Sequence, residues 1–128
     1  MTPLPRTRNG RPRLRLTSDV TDYWAERIHQ DAPGREHFQR SSMICEGDSL
    51  FHYGHHFELA RIMRDKRGRT RLVLLNGDSW SGSGGFGHST ASRQAEARSA
   101  VMRANVPNMI VPFSALDAAA NMRRVMRR

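Results

Sequence analysis

An α+β fold, with a small mixed or antiparallel sheet packed by three or four helices, is what the sequence predicts. Three observations lead there. Short apolar runs end in turn residues, as RLVLL does before Asn76-Gly77-Asp78; several amphipathic stretches follow capping residues; and no internal repeat is present. The element order they imply is αββαββαβα. A chain of 128 residues holds one core, and no apolar run approaches the roughly 20 residues a membrane span requires.

Residues 1–17 read as a flexible basic arm, because Pro3, Pro5 and Pro12 forbid a regular helix and no acid offsets Arg6, Arg8, Arg11, Arg13 and Arg15. If the arm orders, alternation places Arg11, Arg13 and Arg15 on one side and Pro12, Leu14 and Leu16 on the other. Residues 18–128 form the single domain. Ser18, Asp19 and Asp22 open a helix through TDYWAERIHQ, with Tyr23 and Trp24 as core residues, and Ala32-Pro33-Gly34 stops it. SSMICEGDSLFHY reads as a hairpin turning at Glu46-Gly47-Asp48-Ser49, and Gly54 ends it. Phe57, Leu59, Ala60, Ile62 and Met63 then follow a helical register, closed by Arg64 to Gly68. Arg71–Leu75 is a buried strand. Past the glycine-rich loop 82–87, Ser89 or Thr90 caps a helix over about 91–103. Asn108–Val111, between Pro107 and Pro112, is an edge or terminal strand. Ser114 caps a last helix that carries Arg123, Arg124, Arg127 and Arg128.

The charge balance points to an anionic partner. Against 12 acids stand 21 cations, a net charge of +9, and Lys66 is the only lysine. A guanidinium fork suits phosphate better than a point charge does. A GC-rich genome would also favour arginine over lysine, but would leave the net excess unexplained. The start of the chain has no apolar stretch of a secretory kind, and Cys45, the single cysteine, reads as a small buried hydrophobe. The expected setting is therefore cytoplasmic.

Candidate chemistry is confined to two regions. His52, His55 and His56 lie close in sequence, with Glu58 beyond, but Gly54 interrupts any helix and the spacing matches no metal signature; packing roles outweigh ligation. The second region runs from Asp78 through the glycine loop to His88, Ser89 and Thr90, where amides at a helix start and two hydroxyls could hold an anion. It lacks the lysine of a phosphate-binding loop. No metal or cofactor is expected. An enzyme, if this is one, would use His55, His56, Asp78 and His88.

The segments YGHHFELARI, RLVLLNGDSWS, STASRQAEAR and NMIVPFSAL, within residues 50–116, resemble a small domain family of actinobacterial phages and their hosts, one with no known activity. Glu58 stands where that family usually has proline, Trp80-Ser81 replaces Tyr-Ser, and Arg93 takes the place of a histidine before Gln94. The resemblance implies a phage-type origin, so that the cytoplasm is that of a bacterial host, with virion association as a second setting, and one shared centre built from Tyr53, His56, Phe57, Ser81, Ser92 and Gln94. The functional expectation is a non-enzymatic accessory protein that binds nucleic acid or a ribonucleoprotein. Its anion-contacting groups are Arg6, Arg8, Arg11, Arg13, Arg15, Ser89, Thr90 and the four C-terminal arginines. An acidic host or virion protein is the alternative partner, and a small histidine-dependent metal nuclease or hydrolase the second alternative.

Overall fold

The computed structural model describes residues 3–53, 57–78 and 87–112. Helix α1 (Ser18–Glu26) continues into a 3-10 turn, Arg27–His29. Five strands follow in succession: β1 (His37–Arg40), β2 (Met43–Glu46), β3 (Ser49–His52), β4 (Phe57–Arg64) and β5 (Thr70–Asn76). They pair antiparallel, each with the next. Helix α2 (Gly87–Ala104) then carries the chain to β6 (Asn108–Val111), which lies parallel to β5 as the terminal strand.

The expected packing by three or four helices is therefore wrong. A six-stranded sheet dominates, and among the described residues only α1 and α2 pack on it. The decisive error is Phe57–Arg64, expected as a helix and found as β4. A bulge explains it. Phe51 pairs with Glu58 but Leu50 pairs with Ala60, so Leu59 is an extra residue in the ladder. The bulge shifts the inward phase from Phe57 and Leu59 to Ala60 and Ile62, and the resulting apolar pattern imitates a 3.6-residue period. Strand β1 was not expected at all, since Phe38 is its one apolar residue. The expected last helix, from Ser114, lies outside the described residues.

Both helices share one face of the sheet. Val20, Tyr23, Trp24 and Ile28 of α1 and Ala97, Val101 and Ala104 of α2 form one cluster with the inward residues Met43, Cys45, Leu50, Leu59, Ile62, Val73 and Leu75. On the opposite face, cross-strand neighbours Ile44, Phe51 and Leu74 surround a buried ion pair between Glu58 and Arg61.

The turns lock onto one another through Asp48. The β2–β3 turn puts Gly47 at its first central position with φ +60°, the place a type II′ turn reserves for glycine. A Cβ on Gly34 would lie 2.6 Å from the Gly47 carbonyl oxygen, so the close approach of the post-helical loop to this turn requires glycine. Asp48 accepts from Gly34 N at 2.9 Å and from Arg64 Nε at 3.0 Å, while its carbonyl accepts from Trp24 Nε1 at 3.0 Å. Arg64 donates in turn to the carbonyls of Arg27 and Gln30 at the end of the helical segment and to that of Gly68 in the β4–β5 turn.

Candidate nucleic-acid interface

The N-terminal segment, expected to be a flexible arm, is folded back onto the domain over residues 3–17. A chain with three prolines cannot form a helix, yet it can be tied down residue by residue. Arg6 is the tie. It donates to Glu26 Oε1 and Glu36 Oε2, each at 3.0 Å, and to Gly10 O at 3.0 Å, while its guanidinium lies 5.6 Å from the Tyr23 ring centre. Leu4 N donates to Glu26 at 2.8 Å, the Tyr23 hydroxyl donates to Pro5 O, and Leu4 and Leu14 pack against the core. Thr7 and Arg11 close a tight turn in which Gly10 has φ +79°, and Arg6 bridges Pro12. The far end is fixed by Asp19, whose carboxylate accepts from the amides of Arg15 and Leu16 at 2.8 and 2.7 Å.

This anchoring converts sequence alternation into a surface. Arg11, Arg13 and Arg15 are exposed, Pro12 and Leu14 are half-buried toward the domain, and Arg8 is exposed on the turn. Leu16 departs from the pattern, being 64% exposed. The arginines divide by role. Arg6, Arg27, Arg61, Arg64 and Arg93 are paired with carboxylates and serve the fold. Arg8, Arg11, Arg13 and Arg15 have no carboxylate partner among the described residues. Arg6, expected as an anion contact, is thus a tether instead, because two glutamates claim its guanidinium.

A hollow of about 780 Å³ opens between this ridge and strand β1, an edge of the sheet. Arg11, Pro12 and Leu14 line one side; His37, Phe38 and Gln39 line the other. No sequence signal marked β1 as part of a site. Its exposed His37 and Gln39 on either side of buried Phe38 are the alternation that could have done so.

The candidate chemical residues are placed differently. Thr90 is buried on α2, with its hydroxyl 3.0 Å from Nδ1 of His52. It is therefore part of a buried contact and presents no hydroxyl to an outside anion. His52 itself is fully buried, its Nε2 has no hydrogen-bond partner among the described residues, and burial, reinforced by Arg93, pulls its pKa down to about 4. Asp78 follows β5, its amide donating to Asn76 Oδ1. His55 and His56 lie outside the described residues, as do Arg123, Arg124, Arg127 and Arg128. His88 and Ser89 fall in the first turn of α2, but their side chains are not among those described. Among the described residues no three His, Cys, Asp or Glu side chains are grouped to hold a metal ion.

Of the centre implied by the family resemblance, His56 and Ser81 are outside the described residues. Gln94 donates to the carbonyls of Asn76 and Asp78 at 3.0 and 2.6 Å, fastening α2 to the end of β5. Ser92, two residues earlier and so on another side of the helix, is exposed and lines a groove with Ser18 of α1. Those two residues do not share one centre. Cys45 is buried, and burial pushes its thiol pKa up to about 12. No helix among the described residues is long and apolar enough to cross a membrane. No family model, curated protein or solved structure matches the chain.

Proposed function

We propose that the chain is a non-enzymatic, basic accessory protein that binds nucleic acid, free or within a ribonucleoprotein, through the arginine ridge of its N-terminal segment. One observation carries the reading. A tether built from Arg6 holds Arg8, Arg11, Arg13 and Arg15 outward without acid partners, although the same chain pairs its other fold-serving arginines with carboxylates. Arg13 donates its Nε to the Arg6 carbonyl at 3.2 Å, and guanidiniums without a carboxylate partner on an ordered support are suited to phosphate forks and release counterions on binding. Such contacts position a strand and do not read its sequence. The phage-type origin belongs to this proposal through the resemblance alone.

The test is a titration of labelled oligonucleotides at several salt concentrations with the wild type and with Arg8, Arg11, Arg13 and Arg15 all changed to Gln. Loss of affinity in the variant supports the ridge. Equal affinity in the two proteins moves the anion site elsewhere. An acidic protein surface would meet the same cations, and retention of a protein partner after nuclease treatment would favour it.

A further inference from the structure

The sheet edge farthest from the N-terminal segment is apolar. Among the described residues four large hydrophobic side chains are exposed, Leu16, Met102, Met109 and Ile110, and the last three gather along strand β6. We infer that β6 is a self-association site, which pairs antiparallel with β6 of a second copy about a two-fold axis at Met109 and joins two sheets into one. The inference goes beyond the ridge reading and does not depend on it.

The backbone sets the register. Val73 N donates to Pro107 O and Gly77 N to Val111 O, so the odd-numbered residues of β6 direct their peptide groups to β5. Asn108 and Ile110 therefore turn N–H and C=O to the open edge, where no strand follows among the described residues. Pro112, the next outward position, has no N–H, so the pairing stretch ends there. Antiparallel pairing of Asn108 with Ile110 of the second copy, and the reverse, makes four hydrogen bonds. It sets Met109 against Met109 of the second copy as a non-hydrogen-bonded pair, with about 4.5 Å between Cα atoms.

The side chains suit a like partner. Ile110 shares the helix-bearing face with its neighbour Leu75, and its Cγ2 rests over Gly77, where an added Cβ would come within 2.5 Å. Ala97, Val101 and Ala104 of α2 point into the core, while Ser92, Ser99 and Arg103 face α1. That leaves Met102 on the flank of α2 toward β6, beside Ile110. Met109 stands on the opposite face next to Leu74. A two-fold axis thus covers, on both faces, apolar groups that one copy leaves exposed.

Charge favours this symmetric contact over a head-to-tail chain. No charged residue lies between Arg103 and Asp117, so in a chain of net charge +9 the pairing strand brings no like charges together. Folded proteins commonly guard an edge strand with charge, and β6 carries none. At the other edge β1 holds Arg40, and the cationic N-terminal segment lies alongside it. Pairing through β6 keeps those segments at the far ends of the joined sheet. The contact is short, which places it in the weak class of interfaces.

Sedimentation equilibrium at about 0.5 M salt, with protein from about 10 to 500 μM, should give an average mass that rises from 14.6 kDa toward twice that value. Ile110→Lys should hold the mass at 14.6 kDa with an unchanged thermal melt. Single cysteines oxidised with glutathione disulfide read the register, two protein thiols giving one disulfide and two molecules of reduced glutathione. Met109→Cys should form a covalent dimer about tenfold faster than Asn108→Cys or Ile110→Cys, because only position 109 meets itself within disulfide reach. Buried Cys45 does not compete. A mass of 14.6 kDa at every concentration would overturn the self-association. A dimer that persists in Ile110→Lys, or that cross-links equally from the three positions, would overturn the β6 pairing. If Ile110→Lys does not fold, the cysteine series decides alone.

Discussion

Replacing Arg6 by methionine should release the N-terminal segment without unfolding the domain. The arginine hydrogen-bonds three partners, Glu26, Glu36 and Gly10, with a 3.0 Å bond to each, from a side chain 28% exposed. Partial solvent screening reduces each to about 0.7 kcal/mol, within the range of solvent-exposed ion pairs, and methionine retains some of the packing on Tyr23, so the loss is about 2 kcal/mol. The carboxylates left behind keep partners: Glu26 still accepts from Leu4 N, and Glu36 still faces Arg27. The penalty therefore falls on local opening of residues 3–17 rather than on the core. About 2 kcal/mol raises the open population roughly 30-fold. Trypsin cleavage after Arg8, Arg13 and Arg15, under conditions where reclosing outpaces cutting, should accelerate by that factor. The urea midpoint followed through buried Trp24 should move little. An unchanged cleavage rate would refute the tether, and a collapse of the urea midpoint would show that Arg6 supports the whole fold.

Three further outcomes follow from buried groups. Changing Arg64 to methionine leaves Asp48 partly buried without its cation and frees three backbone carbonyls, which should cost about 3–5 kcal/mol and lower Tm by roughly 10 °C or more in a calorimetric scan. His52, held neutral with its pKa lowered to about 4, contributes stability that is fully present above its unfolded pKa near 6.5 and is lost as pH falls toward 4. Urea unfolding across that window should show a loss of about 3 kcal/mol, and His52→Gln should remove the dependence. Cys45, with its thiol pKa near 12, should resist iodoacetamide at pH 8 until the protein unfolds; rapid labelling of the native state would contradict its burial.

Much of the sheet was legible because its signals are local. The hairpin about Gly47, the strand before Asn76 and the strand between Pro107 and Pro112 each carry their own turn or breaker residues. Helix α1 and the core role of Trp24 were equally plain, with Ser18 inside the first turn and an apolar stripe behind it. What failed depended on partners distant in sequence. The bulge at Leu59 arises from pairing with β3 and is invisible in β4 alone. β1 exists because β2 offers it an edge. The prolines that argued for a flexible arm exclude a helix, but they do not exclude docking, which depends on glutamates 20 and 30 residues away. The alternation of Arg11, Arg13 and Arg15 was readable; that it faces solvent beside a hollow was not, since Phe38 and His37 supply the other wall.

The central claim, a phosphate-binding ridge, is tested most directly by the salt dependence of oligonucleotide affinity. Each of Arg8, Arg11, Arg13 and Arg15 that neutralises a phosphate adds about -0.7 to the logarithmic slope on a single strand, so four add about -3. Fluorescence anisotropy between 50 and 200 mM salt should therefore show wild-type affinity falling about 50-fold or more, and the slope should flatten by about 3 when the four arginines become glutamine. An identical slope and affinity in the two proteins would contradict the account.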